Sequence, residues 1–319
     1  MLSRVADSLY WMSRYLERAE NTARQLDVTM SLMLDTGGVS VASRWEHLVA
    51  ALGKPTGLVR VEDSDQMTHN MVFDPLNPAS IIYCLNGARE NARQAREEIS
   101  TEQWQRLNRL YHQIHSPNAQ SQFEISVSDT LASVLDGIHL FQGVGGSTMI
   151  HGQGWQFIRL GRHLERAYAT ATLLEASVPD LASAQDRANS AYQYLDLVGI
   201  LRGCTAFEAY CQVYTADVVP DQILEFLLLN HDFPHSIRYS VDNIRYAIEA
   251  IQRHGGRRAP ELAAGVGKLH AMIEYSSIRE ILTGDAAAFL HTIREQCLRI
   301  HEHIYRNYVQ YSIQSALTV

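Results

Sequence analysis

Apolar residues recur along this chain at spacings of three and four almost from end to end. Val5, Leu9, Met12, Leu16, Ala19, Ala23, Leu26 and Met30 fall within one arc of about 100° on a helical wheel, the mark of an amphipathic helix facing a core. Gly37-Gly38 predicts its end. Pro78 sits where a first-turn proline is tolerated, so a helix is predicted from about Ala79 to Ile99. Thr101, Asn118, Thr215, Pro234 and Pro260 mark further helix starts. No run alternates apolar and polar residues between turn signals, so strands are not expected. The pattern predicts an all-α protein.

The chain also repeats itself. The run from Arg14 to Ala23, centred on Leu16-Glu17-Arg18-Ala19, returns as Arg162 to Ala171, centred on Leu164-Glu165-Arg166-Ala167, at an offset of 148 (Leu16 to Leu164). Asp74 to Ile81 aligns with Asn230 to Ile237 at an offset of 156 (Ser80 to Ser236). Two colinear matches predict a tandem duplication of a roughly six-helix unit, with halves at about 1–145 and 146–319, packed as one pseudo-twofold body. The glycine-rich stretch Gly143 to Gly154 is expected to break helix between them.

Composition narrows the chemistry. The 319 residues suffice for a large core. A formal net charge of −8 argues against a sequence-independent nucleic-acid binder, which needs a basic surface. Arg253-His254-Gly255-Gly256-Arg257-Arg258 is one candidate for a local basic site, and it reads as a solvated loop. Cys84, Cys204, Cys211 and Cys297 match no zinc spacing and suit buried thiols in a reducing compartment. No basic segment followed by an apolar core opens the sequence, and no apolar run approaches membrane-spanning length. A cytoplasmic protein is expected.

Three blocks resemble the signatures of the Alpha-E family of bacterial helical proteins: Arg4 to Arg24; Asn77-Pro78-Ala79-Ser80-Ile81 with Ala88-Arg89-Glu90-Asn91-Ala92-Arg93; and Gly154-Trp155-Gln156-Phe157 with Leu160-Gly161-Arg162 and Leu164-Glu165-Arg166-Ala167. They imply one such domain over 1–319. The resemblance further implies a setting beside circularly permuted ATP-grasp proteins and transglutaminase-like proteins, hence a system that makes or breaks amide bonds. In the family pattern the second Glu-Arg-Ala precedes an acidic residue. Here Tyr168 stands there, against any role that needs a carboxylate at that position.

On the first helix, Tyr10, Arg14, Glu17, Asn21 and Arg24 share an arc of about 80° away from the apolar stripe. They form either a surface ladder of weak pairs or a polar network able to grip a carboxylate or phosphate. The repeat separates two kinds of position. Arg14 and Glu17 persist as Arg162 and Glu165, with Arg166 in the same block, which predicts an architectural, buried Arg–Glu contact. Asn21, Arg24, Glu90, Asn91 and Arg93 have no polar equivalent of like kind in the second copy. They are expected to line one site, within about 15 Å of each other, with Arg14 and Arg89 as further substrate-binding candidates.

Other constellations are weaker. Paired Glu-x-x-His motifs of a di-iron bundle are absent from the sequence. His231, Asp232 and His235 lie together, but Pro234 predicts a turn there, and no metal or other cofactor is expected. Gly143 to Thr148 lacks the lysine of a phosphate loop, and Ser147 has no activating base nearby in sequence. Tyr10, Trp11, Tyr15, Trp45, Trp155 and Phe157 read as mostly core. The expectation is an accessory or substrate-binding component working with an ATP-grasp ligase-like protein on a peptide or amino acid. The alternatives are an enzyme using Glu17 or Glu90 as acid or base, and a pure helical scaffold. Burial distinguishes them: a catalytic Glu belongs in a cleft with a raised pKa, and a scaffold Glu is paired to arginine.

Overall fold

The computed structural model describes residues 1–34, 39–53, 64–186, 191–255 and 259–309. Among them every regular element is helical. The elements are α1 (Ser3–Met33), α2 (Val41–Ala51), α3 (Ser64–Phe73), α4 (Ile81–Gln94), α5 (Thr101–Ile114), α6 (Ala119–Ile125), α7 (Val127–Thr148), α8 (Gln153–Asp186), α9 (Ala191–Gly203), α10 (Phe207–Val213), α11 (Pro220–Leu229), α12 (Ile237–Gly255), α13 (Pro260–Glu274), α14 (Ile278–Thr283) and α15 (Ala286–Ile304). A wider π turn, Tyr305–Val309, follows. None of these helices is long and apolar enough to cross a membrane.

The two longest helices, α1 and α8, pack against each other at the centre. α4, α7 and α9 lean on α1, and α12 and α15 lean on α8. This explains why the polar arc of α1 is not a surface ladder. From Val5 to Leu26 the helix is enclosed on most sides, and Tyr10, Arg14, Glu17 and Glu20 are all buried. The close approach of α1 and α8 requires Gly161, because a Cβ there would overlap Ser13 Oγ and the Tyr10 carbonyl.

Local chemistry sets the helix ends. Ser80, Ser100 and Ser126 cap α4, α5 and α7 by accepting from main-chain N–H groups one turn ahead. The segments before α4 and α12 are built alike. Ser80 donates to the Asp74 carbonyl and accepts from Tyr83 N–H, while Ser236 donates to the Asn230 carbonyl and accepts from Tyr239 N–H. Thr22 of α1 donates to the Ala79 carbonyl (2.9 Å), and Thr170 of α8 donates to that of His235 (3.3 Å).

Three sequence expectations need correction. The glycines at 143, 145 and 146 do not break helix; α7 runs through them to Thr148 and the chain turns only at 149–152. Gly145 serves close packing instead, since a Cβ there would collide with the Gln103 amide of α5. Thr215 and Pro234 precede turns, and the helices begin at Pro220 and Ile237. Seven described helices lie before residue 149 and eight after it, against roughly six expected on each side. The helix predicted from Ala79 spans Ile81–Gln94. Gly37-Gly38 lies outside the described residues, as do Gly256, Arg257 and Arg258 of the basic stretch.

α9 closes with a reversal in which Ala206 N–H bonds the Leu201 carbonyl (2.8 Å) and Thr205 N–H that of Arg202 (3.0 Å). Glycine usually occupies the left-handed residue of this cap. Here Thr205 does, at φ 52°, and a β-branched side chain is strained there.

Candidate functional site

The charged residues of α1 and α8 bind crosswise. Glu165 of α8 accepts from Arg14 Nε at 2.6 Å and from Arg18 Nε at 2.7 Å. Glu17 of α1 accepts a two-pronged bond from Arg166 of α8, with Nη2 to Oε2 at 2.9 Å. Burial alone would raise the Glu165 carboxyl, but Arg14 and Arg18 outweigh it and hold it down at about 2. Glu17 is raised, first by burial and then by neighbouring Glu20, with Arg166 opposing. The predicted buried Arg–Glu contact is therefore present, and Arg18 belongs to it. Its signal was the repeat itself, since Arg18 and Arg166 occupy equivalent places.

A third carboxylate joins the cluster. Glu20 is buried, accepts from His139 (3.2 Å) and Gln142 (3.1 Å) of α7, and lies 3.9 Å from Arg24. Burial opposes its ionisation, yet the His139 bond and the nearby Arg166 keep its carboxyl at about 2. At the other end of Arg14, its Nη1 donates to Tyr10 Oη (3.2 Å), which also meets His301 Nδ1 (2.9 Å). Burial, followed by the charge of Arg14, lowers His301 to about 4. Arg162 is hemmed in by burial, which lowers its guanidinium, while Glu17 pulls the other way.

Two hollows flank this network. One, of about 230 Å³, is lined by Arg14, Arg18, Asn21, Glu165 and Tyr168, with apolar walls from α2 and the segment before α4. Among the described residues two guanidiniums share a single carboxylate there, so one positive charge faces the hollow without a partner. The other, of about 20 Å³, lies beside Glu17, Glu20, Arg24, Arg166 and His235; it is large enough for about one water. Burial and the adjacent Arg166 push the His235 imidazole well below its usual range.

The five residues expected to share one site do not. α1 and α4 run antiparallel: Thr22 meets Ala79, whereas Ser8 meets Gln94 at 3.3 Å. Glu90 and Arg93 therefore lie roughly 14 to 22 Å along the helix from Asn21 and Arg24, at 1.5 Å per residue. Glu90 is exposed, bonded to Arg93 at 2.7 Å, and these bonds hold its carboxyl at about 2. Asn91 donates to the Gly87 carbonyl of its own helix (2.8 Å). Arg89 braces α4 against α5 through Asn108 (2.7 Å), with its guanidinium over the Tyr111 ring. Arg14 and Asn21 share the 230 Å³ hollow, and Asn21 and Arg24 the small one.

The remaining expectations resolve simply. His231 and Asp232 pair at 3.2 Å on the surface while His235 points inward. No group of three His, Cys, Asp or Glu side chains among the described residues is set to hold a metal. Ser147 donates to the Gly143 carbonyl of its own helix. Tyr10, Trp45 and Phe157 are core, with Trp11 and Tyr15 partly buried against it. Cys84, Cys204 and Cys297 are buried thiols, each pushed up to about 12 by burial.

Comparison with known proteins bears on the same residues. Residues 1–309 match a family described as "a predicted alpha-helical domain with a conserved ER motif". Glu-Arg occurs twice in this sequence, at Glu17-Arg18 and Glu165-Arg166, the two steps that bind crosswise. An uncharacterized protein of Mycobacterium bovis and two of Mycobacterium tuberculosis are each 25% identical over 280 residues, covering 81% of this chain. The chain spans about a third of the length of these relatives, 31% of each. No solved structure matches it.

Proposed function

The chain belongs to the Alpha-E family, and on that footing we propose that it is a substrate-binding accessory component of a bacterial amide-bond-forming system. It takes a peptide or amino acid by a carboxylate and works with an ATP-grasp ligase-like partner in the cytoplasm. The observation that carries the binding role is the 230 Å³ hollow, where Arg14 and Arg18 share Glu165 alone among the described residues. A ligand carboxylate beside Arg18 restores neutrality, and Asn21 and Tyr168 add polar contacts. The accessory role draws support from the relatives, in which the matching region is a minor part of a longer chain.

The rival readings fare less well. Glu17 is tied to Arg166 beside a hollow too small for substrate, and Glu90 stands in open solvent. Neither occupies a cleft in the way a general acid or base must. A pure scaffold needs no charged concavity. We also read the chain as two copies of one unit around a pseudo-twofold axis. The crosswise ion pairs and the matching contacts of Thr22 with Thr170, and of Ser80 with Ser236, support that reading.

The test is affinity purification of the tagged chain from its own cells at low salt, with mass spectrometry of all retained species. Stoichiometric recovery of an ATP-grasp protein, with a carboxylate-bearing small molecule that Arg18→Ala releases, is the expected result. Recovery of the chain with neither partner nor ligand overturns the proposal.

A further inference from the structure

A separate hollow of about 460 Å³ opens between α1 and α9. Arg24, Asp27, Val28, Ser31 and Leu32 face it from α1, at the spacing of one helical stripe. Leu195, Val198, Gly199 and Arg202 face it from α9. The two helices run antiparallel here, since a Cβ on Gly199 would touch Leu32 (2.9 Å), and Gln25 donates to the Gly203 carbonyl (2.9 Å). The hollow is thereby polarised. Arg24, Asp27, Arg202, Thr205 and Glu208 gather at one end, and Leu32 and Leu195 lie at the other.

The charges at the polar end are balanced but do not neutralise each other directly. Arg24 approaches a carboxylate only at 3.9 Å, in Glu20 beneath it. Among the described residues, Arg202, Asp27 and Glu208 take part in no ion pair. The Nε–H of Arg24 is buried with no acceptor among them. Thr205, the one described residue other than glycine with positive φ, stands on the rim. Strained backbone of this kind gathers at ligand sites.

We infer that this hollow binds a free α-amino acid with an apolar side chain. Such a ligand carries a carboxylate and an ammonium on one carbon. Arg24 and Arg202 supply donors for the first; Glu208, and the oxygen of Asp27 that does not accept from Ser128, supply acceptors for the second. The side chain lies along Val28, Leu32 and Leu195, away from the charges. A phosphate is a poorer match, because the two acids cancel the charge that would attract a dianion. The inference does not depend on the hollow beside Arg18.

The test is calorimetric titration of the full chain with L-leucine, L-methionine and L-phenylalanine, beside leucinamide and N-acetyl-leucine. At least one free amino acid is expected to bind. Loss of either charge should weaken leucine-type binding about three- to tenfold, because the groups that lose a partner are half-buried or exposed. Arg202→Ala should weaken binding of the free amino acid similarly, and Glu208→Gln should erase the preference over the N-acetyl form. Both side chains are exposed, so these variants fold. Arg18→Ala should leave this binding unchanged. Absence of binding by all three amino acids, equal binding of the blocked forms, or loss through Arg18→Ala but not Arg202→Ala overturns the inference. The first two results leave retention of a carboxylate beside Arg18 untouched, and the third would move the amino acid into that hollow.

Discussion

Replacing Glu165 with Gln removes the carboxylate that Arg14 and Arg18 share, and leaves two guanidiniums facing an amide between α1 and α8. The cost follows from proton affinity. The carboxyl lies at about 2 instead of its ordinary 4.5. At about 1.4 kcal/mol per tenfold change in proton affinity, that difference is worth about 3 kcal/mol at pH 7. Mutational experience with one-sided loss of a buried pair gives about 3–5 kcal/mol, in agreement. The sign fixes the pH window. A depressed carboxyl contributes its full stability above about 4.5 and loses it as pH falls through about 2. Linkage leaves less than half of it, about 1 kcal/mol, at pH 3. Urea unfolding of wild type and Glu165→Gln at pH 7 and pH 3 measures both quantities. The expected gap is about 3 kcal/mol at pH 7, narrowing to about 1–2 kcal/mol at pH 3. A gap below about 1 kcal/mol at neutral pH, or one that does not change with pH, would refute the charge-based account of the α1–α8 contact.

Three further outcomes follow from particular residues. Gly161→Ala forces a methyl into Ser13 Oγ and the Tyr10 carbonyl; a loss of about 2–3 kcal/mol or more is expected from overpacking, read as a lower urea midpoint with an unchanged slope. Thr205→Gly relieves the φ 52° strain and should raise stability by about 1 kcal/mol, visible as a higher unfolding midpoint; an unchanged or lower midpoint contradicts strain there. His139 is raised by its bond to Glu20, so its contribution is present below the unfolded imidazole's range and fades as pH rises through the raised one. Wild type should therefore exceed His139→Ala in stability by more at pH 5.5 than at pH 9, and equal gaps at these two pH values would count against a charged His139–Glu20 pair.

What was legible in the sequence was what repeats or what alternates locally. The helical periodicity of Val5 to Met30 requires no partner to be read, and α1 is there. The reappearance of Arg14 and Glu17 as Arg162 and Glu165 pointed to a buried contact because solvated positions drift more freely. What was not legible depends on which residues face one another. Gly145 looks the same in sequence whether it permits a turn or admits Gln103, and only the position of α5 decides between them. Arg93 and Arg24 were grouped by chemistry, but the antiparallel run of α4 along α1 sets them roughly 22 Å apart in register. Thr205 carries no sign of its left-handed backbone, and its cap appears only once α9 and α10 are in place.

The crosswise ion pairs also govern how the polypeptide can be divided. A cut in the turn at 149–152 would give two pieces, one holding Arg14, Glu17 and Arg18 and the other holding Glu165 and Arg166. Each piece would then own half of every central pair, with charges that cannot be sealed from water without the other. Such pieces should remain loose when made apart and assemble when made together, each acting as the template for its mate. The same dependence applies during synthesis: α1 leaves the ribosome long before Glu165 and Arg166 exist, so its arginines and Glu17 stay hydrated until the second half of the chain arrives to enclose them.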